Sequence, residues 1–288
     1  MEGATVGDTK QVDGGQTALW NGPAGRGWVD MQALTDRVYE PLEDLLVGAV
    51  VAVSRGAVLD VGCGTGGTTV AVARRLGVES RCTGVDISEP MIGAARARAE
   101  HEGTPARFIC ADAQDYAFEP AGVDTIMSRF GVMFFDDPVR AFANLRRAGT
   151  DGAALRCVAW RSAAENPFMT TAERAAAPLL PNLPPRRPDG PGQFAFADDR
   201  SVRGILEESG WGDIEIRPID VECTFPEQEL VAYLTRLGPV GLILQDAAEE
   251  TRARVVDAIR PDFNPYVHGS DVRFTAACWM VEAGASRR

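Results

Sequence analysis

Lysine is nearly absent from this chain. Lys10 stands alone among 29 basic residues, and with 41 acidic side chains the net charge is −12. A surface that acidic has few cations to displace counterions from phosphates, so a nucleic-acid partner is disfavoured, and no Lys/Arg-rich run restores one. Histidine is almost as scarce, with only His101 and His268, and none of the six cysteines forms a CxxC pair. That excludes the common spacings of a structural zinc site and points to small thiols of a reduced compartment. Long apolar runs are also missing. The longest, residues 45–53, is nine residues, too short for a bilayer span. The opening residues Met1-Glu2-Gly3-Ala4-Thr5 lack the basic and apolar blocks of a secretion signal, so a cytoplasmic protein is expected.

What is present is an alternation of strand and helix. Val58-Leu59-Asp60-Val61-Gly62-Cys63-Gly64-Thr65-Gly66-Gly67 reads as a strand ending in a carboxylate, a glycine turn and the opening of a helix that Gly77 stops. Further strands are expected at 82–86, 107–110, 123–127 and 153–160, with helices opening at Ser88 and near Pro138. The pattern predicts an α/β fold, a Rossmann-like parallel sheet with helices on both faces. Residues 1–15 are expected to form a tail and 16–56 an N-terminal helical flap, divided into two helices at Pro41, with Met31, Leu34, Val38, Leu42, Leu45 and Leu46 as one buried stripe. The core would occupy 57–160. A proline cluster over 161–197 suggests a cap insertion, and 198–288 would complete the core. Strands at 213–225 and 272–281 would form an antiparallel closing hairpin, with a helical lid inserted at 226–268 whose two helices fall at 227–237 and 247–259.

The glycines alone fit either a dinucleotide or another adenosine ligand. Asp60 favours a cationic one, because a carboxylate at the strand end would repel a pyrophosphate. Asp86 ends the second strand, where it can accept from both hydroxyls of a ribose, and Asp112 ends the third, where it can meet the amino group of adenine. Three strand-end acids on one sheet edge point to S-adenosylmethionine. An NAD-dependent oxidoreductase, or a protein that binds the cofactor without transferring methyl, stays open as an alternative.

Through Leu59–Gly66, Gly84-Val85-Asp86-Ile87-Ser88, Asp112-Ala113 and Val123–Phe135, the chain resembles the class I S-adenosylmethionine-dependent methyltransferases, most of all the branch related to ubiquinone and menaquinone biosynthesis. The resemblance covers about residues 57–160 and implies a seven-stranded sheet with its last strand antiparallel. It puts Asp60, Gly62, Cys63, Gly64 and Gly66 around the methionine moiety and Asp86 on the ribose. Ile87 and Met91 would pack on adenine, Asp112 and Ala113 would hold its edge, and Ser128 and Arg129 would flank the methionine end. Trp20 and Met133 are further cofactor-side candidates. The product would be S-adenosyl-L-homocysteine.

Methyl transfer from an activated sulfonium needs alignment and dryness more than a base. His268 is the candidate base, with Glu165, Tyr39, Tyr233 and Tyr266 behind it. Phe130, Met133, Phe134, Phe135 and Trp160 would line an apolar acceptor site. A small, fairly hydrophobic acceptor methylated at carbon or oxygen is expected, in a chain compatible with a homodimer.

Overall fold

The structure is a computed structural model and describes residues 15–186 and 190–285. The expected tail therefore falls, except for Gly15, outside the described residues, as does Pro188 of the proline cluster. Eight strands form one sheet: β1 Ala57–Val61, β2 Arg81–Asp86, β3 Arg107–Cys110, β4 Val123–Arg129, β5 Gly149–Trp160, β6 Gly212–Pro226, β7 Val267–His268 and β8 Asp271–Gly284. The main order is β3-β2-β1-β4-β5-β8-β6, with the two-residue β7 paired only to β8. Neighbours from β3 to β5 pair in parallel. β8 runs antiparallel to both β5 and β6, so it alone among the seven long strands is reversed.

The helices are α1 Gly15–Asn21, α2 Pro23–Asp30, α3 Gln32–Val51, α4 Gly67–Leu76, α5 Glu89–His101, α6 Pro138–Ala148, α7 Pro167–Ala176, α8 Asp199–Glu208, α9 Leu230–Arg236, α10 Gly238–Gln245 and α11 Glu249–Ile259. None is long and apolar enough to cross a membrane among the described residues. Strands β1, β4 and β5 are buried on both faces, as parallel strands covered by helices must be. Ser88 caps α5 by accepting from the Met91 amide, and Asp198 caps α8 by accepting from the amides of Arg200 and Ser201.

Two expectations fail in the flap. Pro41 does not divide it, because α3 runs unbroken through Pro41 for 20 residues. A continuous apolar stripe of Leu34, Val38, Leu42, Leu46 and Val50, each buried, holds the helix together despite the lost N–H. The break falls instead at Met31, between α2 and α3. Leu45, expected on the buried stripe, is 45% exposed.

Helices α1 and α2 are tied to the sheet edge by polar contacts. The Asn21 amide donates to the Ile87 carbonyl at 2.9 Å and its oxygen accepts from the Glu89 amide at 2.9 Å, while the Ser88 hydroxyl donates to the Trp20 carbonyl at 2.7 Å. Asn21 thus acts as a second cap on α5, supplied from outside the helix. Helix α3 is held by Asp36 against Arg98 (2.5 Å) and by Glu43, which accepts from the Thr68 hydroxyl at 3.0 Å. The 161–197 region contains a helix, α7, and the 226–268 region contains α10 between the two helices expected there.

Candidate active site

One cavity of about 850 Å³ opens over the carboxyl ends of β1 to β5. That is where open parallel sheets bind their ligands, because the loops diverge there and leave a crevice. Its walls come from the glycine turn, the β2–α5 and β3 loops, the segment after β4, α1–α3, α7 and the α9–α10 region.

The turn after β1 is shaped by a close backbone approach. Gly62 has φ +66°, and a Cβ there would stand 2.6 Å from Gly131 Cα. The reverse holds as well, since a Cβ on Gly131 would meet the Val61 oxygen at 2.5 Å. Only two facing glycines allow β1 and the segment after β4 to meet so closely. The Ser128 hydroxyl reinforces that junction by donating to the Val61 carbonyl (2.7 Å) and accepting from the amides of Gly131 (3.1 Å) and Val132 (3.2 Å).

Four amides of the turn are already engaged within the protein. Gly62 and Cys63 donate to the Val85 carbonyl at 2.8 and 3.1 Å, Gly66 donates to the Cys63 carbonyl at 3.0 Å, and Gly64 donates to Asp86 Oδ2 at 2.9 Å. Asp86 Oδ1 accepts from the Ser88 amide at 2.9 Å. Burial pushes the Asp86 carboxyl up, and these backbone donors pull it back. Asp112, exposed at the β3 loop, accepts from the Gln114 amide at 2.9 Å.

Of the expected residues, Trp20, Gly62, Gly64, Asp86, Ile87, Met91, Asp112, Ala113, Arg129 and Met133 line this cavity. Asp60, Cys63, Gly66 and Ser128 do not. Asp60 is buried beneath the turn and accepts from the Thr69 hydroxyl at 2.6 Å; burial raises its pKa to about 7, against the pull of that hydrogen bond and of Arg129. Cys63 packs its sulfur toward Gly84, where an added Cβ would meet it at 2.7 Å. Gly66 opens α4 with φ +81°, packed against Phe108 and Ala95. Ser128 is fully used by the backbone junction.

His268 is a correction. It sits exposed on β7 and does not line the cavity, so the structure does not bring it to the other candidates. Glu165 is likewise away from the cavity, holding Arg161 in an ion pair that keeps its carboxyl below the usual range. Tyr266 packs edge-on against Phe168 outside the cavity lining.

The far half of the cavity is aromatic. Phe130 holds a left-handed backbone (φ +69°), a strained conformation for a bulky residue, and stacks on Trp160 with centroids 4.7 Å apart. Tyr39 meets both rings edge-on. The Tyr39 and Tyr233 hydroxyls lie 3.2 Å apart, and burial is the main reason that Tyr39 lies well above the ordinary phenol value and Tyr233 reaches about 12. Trp20 stands edge-on to Phe134 at 5.1 Å.

Arg129 joins the two halves. Its guanidinium lies over the Tyr39 ring at 5.9 Å and 3.9 Å from Glu43, and its Nη1 is buried with no hydrogen-bond partner among the described residues. Arg129 itself lines the cavity and brings a positive charge to it. Sequence reasoning missed Glu173 and Arg186, which also line the cavity and pair through both carboxylate oxygens at 2.5 and 2.8 Å. They lie at α7 and in the irregular segment after it, where no periodicity signals a wall. Trp28 and Phe168 were missed too, the first in the flap and the second on α7.

Residues 58–152 match a family model described as a methyltransferase domain. An uncharacterized protein of Mycobacterium tuberculosis is 26% identical over 187 residues, 64% of this chain and 64% of that protein. The aklanonic acid methyltransferase DauC of a Streptomyces species is 31% identical over 106 residues, 36% of this chain and 48% of its own. The matches therefore span less than two thirds of the length of these curated relatives. Among solved structures, phosphoethanolamine N-methyltransferase 2 of Haemonchus contortus in complex with S-adenosyl-L-methionine superposes with a TM-score of 0.53 at 17% identity, over 86% of this chain and 52% of that one. At that identity the likeness is one of fold.

Proposed function

We propose that this chain, which matches a methyltransferase-domain model over residues 58–152, is an S-adenosylmethionine-dependent methyltransferase acting on a small, fairly apolar acceptor. One observation carries the choice of cofactor. Asp86 and Arg129 line one cavity beside the glycine turn, so an acceptor for ribose hydroxyls and a cation face the same ligand, while the amides of Gly62, Cys63, Gly64 and Gly66 are bonded within the protein. A dinucleotide needs free turn amides for its pyrophosphate. A nucleoside linked to an amino acid needs instead a cation for its carboxylate.

The residues fit that ligand from end to end. Asp86 uses one lone pair of each oxygen on the backbone and keeps others for ribose hydroxyls. Ile87 and Met91 offer apolar surface to adenine, and Asp112 and Ala113 offer polar edges to it. Gly62 and Gly64 let the methionine chain lie against the backbone, and Arg129 receives its carboxylate. When bound, S-adenosylmethionine supplies a methyl carbon on a sulfonium, open to in-line displacement.

The chain's own part is alignment and exclusion of water. Phe130, Trp160, Phe168 and Phe134 make the acceptor half apolar. Tyr39 and Tyr233 stay protonated near neutral pH and are not poised to take a proton, while Glu173, whose carboxyl burial pushes up against the pull of Arg186, is held by Arg186 through both oxygens. An acceptor that arrives already nucleophilic, methylated at carbon or oxygen, suits this site best.

The test is transfer of label from methyl-labelled S-adenosylmethionine to a panel of phenols and β-dicarbonyl compounds, with extraction into organic solvent. Extractable label is expected. Cofactor binding with no transfer to any acceptor class would favour a binding protein instead.

A further inference from the structure

The aromatic half of the cavity contains one polar feature whose hydrogens do not balance. Two phenols share one hydrogen bond, Tyr39 to Tyr233 at 3.2 Å, so one of the two protons must go elsewhere. If Tyr233 donated to Tyr39, the Tyr39 proton would lack an acceptor among the contacts of the described residues. If Tyr39 donates, the Tyr233 proton has the Met169 thioether sulfur at 3.7 Å. The second arrangement places both protons, but one of them on a weak acceptor. Tyr233 is therefore a donor at the cavity wall in search of an oxygen.

Its position gives that donor a purpose. Tyr39 stands 5.6 Å, centroid to centroid, from Phe130, and Phe130 is the neighbour of Gly131, which abuts the glycine turn. The hydroxyl pair therefore sits on the acceptor side of the turn. The surrounding rings of Phe130, Trp160, Phe168 and Phe225 offer that spare proton no oxygen acceptor.

We propose that the Tyr39–Tyr233 hydroxyl pair recognises the acceptor, with Tyr233 donating to a carbonyl or enolate oxygen of an oxygenated, otherwise apolar molecule. Tyr39 acts through Tyr233 and is a positioning residue, since its own proton fixes the direction of the Tyr233 donor. The inference rests on the methyltransferase reading for the meaning of "acceptor" and sharpens it to a substrate class. A purely hydrocarbon acceptor would leave the Tyr233 donor unpaired and would be discriminated against.

The experiment compares 1-tetralone with tetralin, the same bicycle with and without a carbonyl oxygen, by ligand-observed NMR titration of the protein loaded with S-adenosylhomocysteine. Tyr233→Phe keeps the ring that packs on Phe225 and Phe168 and removes the donor. It should weaken tetralone about tenfold and leave tetralin within about twofold. Tyr39→Phe, which leaves the Tyr233 proton in place but no longer fixes its direction, should lower the tetralone preference about threefold, less than Tyr233→Phe does, and leave tetralin unchanged. Equal losses for both probes in Tyr233→Phe, or no loss for tetralone, would overturn the proposal. Affinity for S-adenosylhomocysteine is measured first in all three proteins. Its retention beside an unchanged tetralone preference in Tyr233→Phe overturns this inference alone, whereas its absence in wild type strikes the cofactor reading.

Discussion

Asp60 and Thr69 face each other at 2.6 Å beneath the glycine turn, with the carboxylate buried and outside the cavity. The acid at the end of β1 thus pins the first turn of α4 to the strand and does not meet the ligand directly. In the proposed reading, Arg129, which lines the cavity where Asp60 does not, favours a ligand that carries a carboxylate.

The Asp60–Thr69 contact sets a pH dependence. Burial raises the Asp60 pKa from 3.8 to about 7, so the folded state holds this proton more tightly than the unfolded chain does. The stabilisation is complete below about pH 4 and is lost as pH rises through 7, a loss of the order of a few kcal/mol. Asp60→Asn removes the titration. Its melting temperature relative to wild type is expected to rise between pH 5 and pH 8; a constant difference would show that Asp60 titrates normally.

Arg129→Met should separate two ligands that share an adenosine. Binding of S-adenosylhomocysteine is expected to weaken by roughly 1.5–3 kcal/mol, the range for a hydrogen bond to a charged group. Methylthioadenosine, which lacks the carboxylate, should bind within about twofold of wild type. Calorimetry on both ligands checks this, and parallel losses would count against the carboxylate contact.

Asp86→Ala removes the oxygens that accept from Gly64 and Ser88 as well as those left for the ribose. A loss of roughly 1–3 kcal/mol in S-adenosylhomocysteine binding is expected. Calorimetric affinity equal to wild type would mean that no ligand reaches this carboxylate.

Gly131→Ala tests the junction between β1 and the segment after β4. The new Cβ would meet the Val61 oxygen at 2.5 Å and Gly62 Cα at 2.7 Å, both backbone atoms that cannot rotate away. A destabilisation of about 1–3 kcal/mol in urea unfolding is expected. An unaltered midpoint would show that the junction is looser than described.

The sheet was legible because its signals are local. Strand β1 and the stop at Gly77, the Ser88 cap and the reversed final strand follow from turn residues and alternation that short windows contain. Asp86 and Asp112 line the cavity for the same reason: both stand where a parallel strand ends and its loop begins. Asp60 was read as facing the ligand because it, too, ends a strand. Its direction depends on the packing of α4, and the partner that decides it, Thr69, lies nine residues on in a helix that had no apparent bearing on the site. Pro41 was read as a break because local propensity opposes a helical proline, but tertiary burial of the stripe on α3 outweighs it. His268 drew attention by its rarity, and rarity carries no position. Glu173, Arg186 and Phe168 reach the cavity from a proline-rich segment and its helix, where only the three-dimensional path of the chain brings them in.

The central claim is tested most directly by calorimetric titration of the wild-type chain with S-adenosylhomocysteine and, separately, with NADH. Asp86 and Arg129 on one cavity, with four amides of the turn bonded within the protein, predict saturable one-to-one binding of S-adenosylhomocysteine and no heat from NADH. Saturable binding of NADH with none of S-adenosylhomocysteine would contradict the account.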